Sequence, residues 1–214
     1  GDALTRMPSV QPLSPELFYM ALTAHGLVNL AVWIIFFEMA VLYFLGAHVL
    51  GSRLATPRWA WTPCWLMVVG AAMVAVAVLG GRSSVMMTSY PPLQAAPHFY
   101  LGLILFAVGA LIGCFVFLGT LVVAKREKTY SGSLPLVVFG GVTACVIAIF
   151  TIVSGAVILI PTFLWSVGLI DHINPMMYRI VWWAFGHSSQ QINVVVHITI
   201  WYLIASLVFG AKPM

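Results

Sequence analysis

Long apolar runs alternate with short polar segments along the whole chain. A helix that spans a bilayer needs about 20 mostly apolar residues. Five stretches reach this length, and the segments between them contain the Pro, Gly and charged residues that are typical of loops. The predicted spans are 18–45, 59–79, 99–124, 134–160 and 177–209. The pattern therefore predicts an all-α integral membrane protein, a bundle of five transmembrane helices that forms one transmembrane region over residues 1–214.

The composition also indicates a lipid environment. Hydrophobic residues make up 62% of the 214 residues and charged residues 7%, whereas about 25% of the residues in a typical soluble domain are charged. The net charge of +4 is spread over loops and forms no run, so it does not indicate nucleic-acid binding. Cys64, Cys114 and Cys145 lie in apolar stretches without a CxxC pair, which argues against a disulfide framework or a structural zinc site.

Loop charges predict the orientation, because Lys and Arg collect on the cytoplasmic side of a membrane. One side would hold Arg53, Arg58, Lys125, Arg126, Lys128 and Lys212. The other side would hold Arg6, Arg82 and Arg179, together with Asp2, Glu16 and Asp171. We therefore expect the N-terminus of this chain on the outer side. The opening segment lacks a signal-peptide pattern, so we also expect a further span upstream.

Ionisable residues inside a span are unfavourable in hydrocarbon, so each one is a candidate for function. These residues are His25, Glu38, His187 and His197. His25 and His187 lie roughly 10 to 15 Å below the outer ends of the first and fifth spans. Two imidazoles at matched depth on separate helices suit a shared cofactor layer, because His commonly binds heme iron and copper. A single buried His can also simply donate to a backbone carbonyl, so both interpretations stay open at this point.

The segments around the two histidines favour the cofactor interpretation. In LTAHGLVN, Gly26 follows His25 and leaves room for a flat ring against the helix. In WWAFGHSSQQIN, the residues of segment 187–193 can form hydrogen bonds, apart from one isoleucine, which indicates an internal cavity. Gln191 lies one turn after His187 and shares its helix face.

The remaining polar residues allow more than one role. His197 is rotated about 80° from His187 and lies deeper, so both cannot bind one metal on a regular helix, and we expect a structural or proton-path residue. Glu38 lies about 20 Å below His25, where it can carry protons or extend to the interface. Positions at span ends or in loops, where His is usually solvated, are expected for His48, His98 and His172.

Three motifs resemble those of one known family, the catalytic subunit I of the heme-copper oxidase superfamily. LTAHG, with His25, resembles the helix II motif that binds the low-spin heme. WWAFGH, which ends at His187, resembles the helix VI motif that supplies a copper ligand. YPPL, from Tyr90 to Leu93, and the following HFYLG resemble the loop before helix IV. The order and separations also agree, and the B-type branch is most similar, from helix II to helix VI.

The resemblance implies a larger fold of twelve or more helices, to which this chain would contribute five as a fragment, a split subunit or an incomplete chain. It implies a respiratory terminal reductase in a prokaryotic-type cytoplasmic membrane. Electrons would pass from a low-spin heme to a centre of high-spin heme and copper, where a small gas is reduced. His25 would be an axial ligand of the low-spin heme iron and His187 one of three copper ligands. The other ligands belong to helices VII and X of the family.

The same resemblance implies the partners. These are the remaining helices of subunit I or a split companion chain, an electron-entry protein like subunit II, a cytochrome c, cupredoxin or quinol donor, and membrane lipid. No nucleic acid is expected.

Residue 191 bears on the gas that is reduced. Oxygen reductases of this type carry a tyrosine four residues after the copper-binding His, crosslinked to it, whereas this chain has Gln191 there and Ser188 in place of the usual proline. Family members that reduce nitric oxide lack that tyrosine, so nitric oxide is favoured. A B-type cytochrome c oxidase with proton translocation is the alternative. Tyr202 matches a tyrosine of the B-type proton path, which Thr199 and His197 can extend.

Other classes of function remain open from the residues alone. The ionisable residues within the spans can line the path of a proton or metal transporter. A structural subunit without a cofactor is a third possibility. A reduced-minus-oxidised visible spectrum separates the redox enzyme from both.

Overall fold

The computed structural model describes residues 13–211, and this part of the chain contains five helices that are long and apolar enough to cross a membrane. They are α1 (Pro15–Val49), α2 (Trp61–Leu79), α3 (Pro97–Glu127), α4 (Leu136–Ser166) and α5 (Pro175–Phe209). Residues 13–211 contain no strand. The predicted all-α membrane bundle is confirmed, and each predicted span overlaps one helix.

Residues with suitable side chains begin and end these helices. At the start of α1, the Ser14 hydroxyl accepts a hydrogen bond from the Leu17 N–H at 3.3 Å. At the start of α5, Asn174 Oδ1 accepts hydrogen bonds from the Met176 and Met177 N–H groups at 3.0 and 3.1 Å. Such caps satisfy N–H groups that have no partner within the helix. Proline at the first position of α1 and α5 favours the same boundaries, because its fixed φ suits a first turn.

Helix α1 is interrupted by wider turns. Its α-helical segments, Pro15–Leu27 and Ile34–Phe44, are separated by a π-helical segment at Val28–Trp33, and a second π-helical segment follows at Leu45–Val49. A π-helical turn changes the rotation of the residues that follow it and is frequent at functional sites. The first of these segments begins three residues after His25.

Neighbouring helices pack through small residues. Helix α2 packs mainly on α3, α4 on α5, and α3 on α4, while the second half of α1 packs on α3. A Cβ atom at Gly102 of α3 would lie 2.7 Å from the carbonyl oxygen of Gly70 in α2. Only glycine permits this approach without a shift of the backbone, as is common where membrane helices cross.

The outer surface of the bundle is apolar. Large hydrophobic side chains are exposed on every helix, for example Trp33, Trp65, Phe115, Phe150 and Leu207. An exposed apolar surface of this extent is unfavourable in water and suits contact with lipid or with further membrane helices. The chain is therefore an integral membrane protein.

One loop charge has a partner at an end of the bundle. The Arg53 guanidinium, just after α1, donates to a carboxylate oxygen of Glu127, at the end of α3, at 2.9 Å.

Three residues used to predict the orientation, Asp2, Arg6 and Lys212, lie outside the described residues. The outer position of the N-terminus stays a prediction.

Candidate functional site

His25 lies exposed on α1, three residues before the first π-helical segment. The side-chain amide nitrogen of Asn29 is 3.2 Å from His25 Nδ1 and donates to the His25 carbonyl oxygen at 2.8 Å. These contacts restrict the rotation of the imidazole ring through its Nδ1 edge. A metal on Nε2 would require the ring proton on Nδ1, and the Asn29 side chain would then have to present its oxygen to that edge.

The turn that carries His25 is held by the loop between α2 and α3. Thr23 is fully buried, and its hydroxyl accepts a hydrogen bond from the Met86 N–H at 2.8 Å while it donates to the Tyr19 carbonyl at 2.7 Å. A Cβ atom on Gly26 would lie 3.1 Å from Met87 Cβ. Met87 therefore lies against the side of Gly26 from which a side chain would project. A contact of Gly26 with a cofactor stays a prediction.

The same loop contacts α5 just before His187. The Tyr90 ring packs edge-on against Tyr178 and Trp182, with ring centroids 6.0 and 5.8 Å apart. The Tyr178 hydroxyl donates to the Thr88 carbonyl at 3.0 Å, and Arg179 Cζ lies 5.7 Å from the centre of the Tyr90 ring. One loop thus links the turn of His25 to the helix of His187. It brings the YPPL motif into contact with the WWAFGH motif.

His187 is exposed on α5, beyond this aromatic cluster. The hydroxyl of Ser188 donates to carbonyls of its own helix, and that of Ser189 donates to the Gly186 carbonyl at 2.7 Å. Helical Ser residues commonly form such bonds. The two hydroxyls donate within the helix, whereas the imidazole of His187 and the amide of Gln191 are exposed one turn apart on the same helix face, where both can contact one ligand.

The residues predicted for a proton path are divided between two environments. Tyr202 is 52% exposed, and His197 is exposed with its Nδ1–H donating to the Asn193 carbonyl at 2.6 Å. Thr199 is buried at the contact with Gly140 of α4, and its hydroxyl donates to a carbonyl of its own helix. Tyr202 and His197 therefore reach the open surface of α5, and Thr199 does not.

Glu38 is separate from the histidines. Its side chain is 5% exposed, and its Oε1 has no hydrogen-bond partner among the described residues. The carboxyl group thus lies in the interior of the helix bundle and does not extend to the end of α1.

The described residues alone do not complete a metal site. Within 13–211, no group of three or more His, Cys, Asp or Glu side chains lies close enough to hold a metal ion. His25 and His187 can each supply one imidazole from the surface of a helix. This donor set fits a heme iron or a copper ion whose remaining ligands come from other residues.

Several residues that position these side chains were not predicted from the sequence. Asn29 lies four residues after His25, and this helical spacing is the signal that could have identified it. Met86 and Tyr178 contact the site through the loop, and no local pattern in the sequence indicates those contacts.

Comparisons with known proteins agree with the motifs. Residues 3–214 match the family described as Cytochrome C and Quinol oxidase polypeptide I. Cytochrome c oxidase subunit 1 of Thermus thermophilus is 27% identical over 188 residues, which cover 84% of this chain and 32% of the relative. Cytochrome c oxidase subunit 1 of a Synechocystis species is 22% identical over 201 residues, which cover 88% of this chain and 36% of the relative.

A solved structure supports the same grouping. A heme-copper terminal oxidase dimer determined by cryo-EM aligns with a TM-score of 0.81 and 32% sequence identity, over 86% of this chain and 32% of the aligned chain. The chain thus spans about a third of the length of the relatives that it matches. With the family match over residues 3–214, these similarities show that the chain belongs to the subunit I family of the heme-copper oxidases, a family of oxidoreductases.

Proposed function

We propose that this chain is part of the catalytic subunit of a respiratory terminal reductase, in which electrons pass from a low-spin heme to a heme–copper centre that reduces a small gas. The main support is the placement of the two imidazoles. His25 and His187 are both exposed, about 15 and about 18 Å along α1 and α5, which run in the same direction. One loop contacts both helices beside them.

In this proposal each histidine has one role. His25 binds the iron of the low-spin heme through Nε2, with Gly26 beside the ring, and His187 binds copper. Iron and copper supply the one-electron changes of oxidation state that electron transfer requires. With iron on Nε2, the His25 Nδ1–H would donate to the side-chain oxygen of Asn29, since metal-binding histidines commonly donate their other ring N–H to such a partner.

Further metal ligands and partner proteins belong to the same proposed function. The high-spin heme and the copper need ligands that the described residues do not bring together. We assign these ligands to the remaining helices of subunit I or to a split companion chain. Electrons arrive from a cytochrome c, cupredoxin or quinol donor through a protein like subunit II. The complex lies in a prokaryotic-type cytoplasmic membrane, with the N-terminus of this chain outside.

Nitric oxide is the proposed substrate, and Gln191 supports this choice. Its amide is exposed one helical turn after His187. Glutamine cannot supply the radical that a crosslinked tyrosine provides for cleavage of oxygen. Conversion of two nitric oxide molecules to nitrous oxide and water takes two electrons and two protons, and the Gln191 amide can donate to the bound nitrogen oxide. Tyr202 and His197, with Thr199 beside them, would bring protons to the site.

Reduction of oxygen to water by a B-type cytochrome c oxidase, with proton translocation, is the second candidate. Its support comes from the relatives, because two proteins that match along most of this chain are named cytochrome c oxidase subunit 1.

Gas consumption by the intact complex tests the substrate. We expect the wild type to consume nitric oxide faster than oxygen. Gln191→Tyr should slow nitric oxide consumption at least about tenfold, because it removes the amide donor. Gln190→Tyr, which changes the neighbouring exposed amide on a different helix face, is the matched control and should have little effect. Rapid oxygen consumption by a wild type that does not consume nitric oxide would establish the second candidate instead.

A further inference from the structure

Glu38 occupies a position where the surrounding structure requires an apolar side chain. Glu38, Leu42 and Leu45 follow one another at helical spacing and are 5%, 2% and 0% exposed. Gly141 of α4 faces the side of α1 that carries these three residues, since a Cβ atom on Gly141 would lie 2.7 Å from Leu45 Cδ1. An unpaired buried carboxyl group destabilises a fold that Leu or Met would stabilise. Packing therefore does not explain the glutamate.

The described groups around Glu38 provide no permanent positive charge. On α3, Cys114 lies close enough to Glu38 for electrostatic interaction, and the Cys145 thiol of α4 donates to the Cys114 carbonyl at 3.4 Å. Helix α5 contributes Ile192 to the buried apolar cluster that contains Leu42 and Cys114. A carboxylate anion would have no counterion among these groups, and the neutral acid is the form that they accommodate.

The carboxyl group also cannot reach water by extension of its side chain. Glu38 lies about 16 Å along the helix axis from Val49, the last residue of α1. The Arg53–Glu127 ion pair lies beyond that end, and its two charges are paired with each other. Any proton on Glu38 must therefore come and go through the interior of the bundle.

We propose that Glu38 is an internal proton-binding site that supplies protons consumed by gas reduction. The carboxylic acid releases a proton toward the reaction and becomes a carboxylate, and it regains a proton from water that enters between α1, α3 and α4. The inference rests on the proposed function for the source of proton demand. The site is separate from the exposed face that carries His187, Gln191 and Tyr202.

Infrared difference spectroscopy of the intact complex tests this inference. In reduced-minus-oxidised spectra, we expect a C=O stretching band of a carboxylic acid that shifts in D2O. The band should be lost in Glu38→Gln and retained in Glu127→Gln, which removes an exposed acid at the end of α3. Turnover should fall at least about tenfold in Glu38→Gln, with unchanged visible heme spectra. Glu38→Asp should show a carboxylic-acid band at a shifted frequency and should keep measurable turnover.

Each other outcome overturns the inference. If the band persists in Glu38→Gln, or if the band is lost while turnover stays at the wild-type rate, Glu38 is not a proton source. If Glu38→Gln fails to assemble, an unshifted band in Glu38→Asp contradicts the assignment in the same way. A wild type without heme absorption would contradict the proposed function separately, because the visible spectrum is recorded on the same sample.

Discussion

The Met86 N–H donates to Thr23 Oγ1 at 2.8 Å, which links the turn of His25 to the loop between α2 and α3. The two residues are 63 positions apart. The loop then reaches α5, where Tyr90 packs against Trp182. One loop therefore contacts α1 two residues before His25 and α5 five residues before His187, and its hydrogen bonds should determine how well the two sites are aligned.

Replacement of Thr23 tests this role of the loop. Thr23→Val keeps the shape of the side chain but leaves the Met86 N–H without its partner, which should destabilise the protein by about 1 to 3 kcal/mol. Thermal unfolding of the complex, followed by heme absorbance, should show a lower Tm. Thr23→Ser restores the hydroxyl and should unfold near the wild-type temperature. Equal Tm values for wild type and Thr23→Val would show that the hydrogen bond does not hold the loop.

Asn29 should determine how firmly His25 holds its ligand. Asn29→Leu removes the contacts with His25 Nδ1 and the His25 carbonyl. Loss of a residue that orients a metal-binding His commonly weakens binding by about 10 to 100-fold. We expect a matching loss of low-spin heme when the purified complex is titrated with a competing heme-binding protein. Leu30→Ala, a change at an exposed neighbour in the same π-helical segment, should retain the heme. Equal retention in both variants would remove Asn29 from the site.

The environments of Tyr202 and Thr199 predict different effects on proton delivery. Tyr202→Phe removes a hydroxyl from the open surface of α5 and should lower turnover about tenfold, with an increased solvent isotope effect. Thr199→Val removes a buried hydroxyl that already donates to its own helix, so turnover should stay within about twofold of wild type. A larger effect of Thr199→Val than of Tyr202→Phe would reverse this order.

The hydropathy pattern predicted the helices because each span must bury its backbone hydrogen bonds and expose apolar side chains. Where the observed helices differ from the predicted spans, the differences have local causes. The predicted fourth span ends at 160, just before Pro161, whereas α4 continues to Ser166, because membrane helices tolerate an internal proline. The π-helical segments of α1 have ordinary apolar sequences and leave no such signal.

The candidate ligands could be predicted from the sequence, but their supports could not. His25 and His187 were identifiable as ionisable residues in apolar spans. The contacts that position them, Thr23 with Met86 and Tyr90 with Trp182, join distant parts of the chain through three-dimensional packing. The burial of Glu38 likewise depends on the packing of α1 against α3 and α4, which hydropathy does not describe.

His25 is the proposed ligand of a low-spin heme, and a reduced-minus-oxidised visible spectrum of the intact complex detects that heme. The wild type should show low-spin heme absorption, and His25→Ala should lose it. His172→Ala, a change at an exposed loop histidine, should retain the full signal. A wild type without heme absorption, or a His25→Ala complex with an unchanged low-spin signal, would show that His25 does not bind a heme.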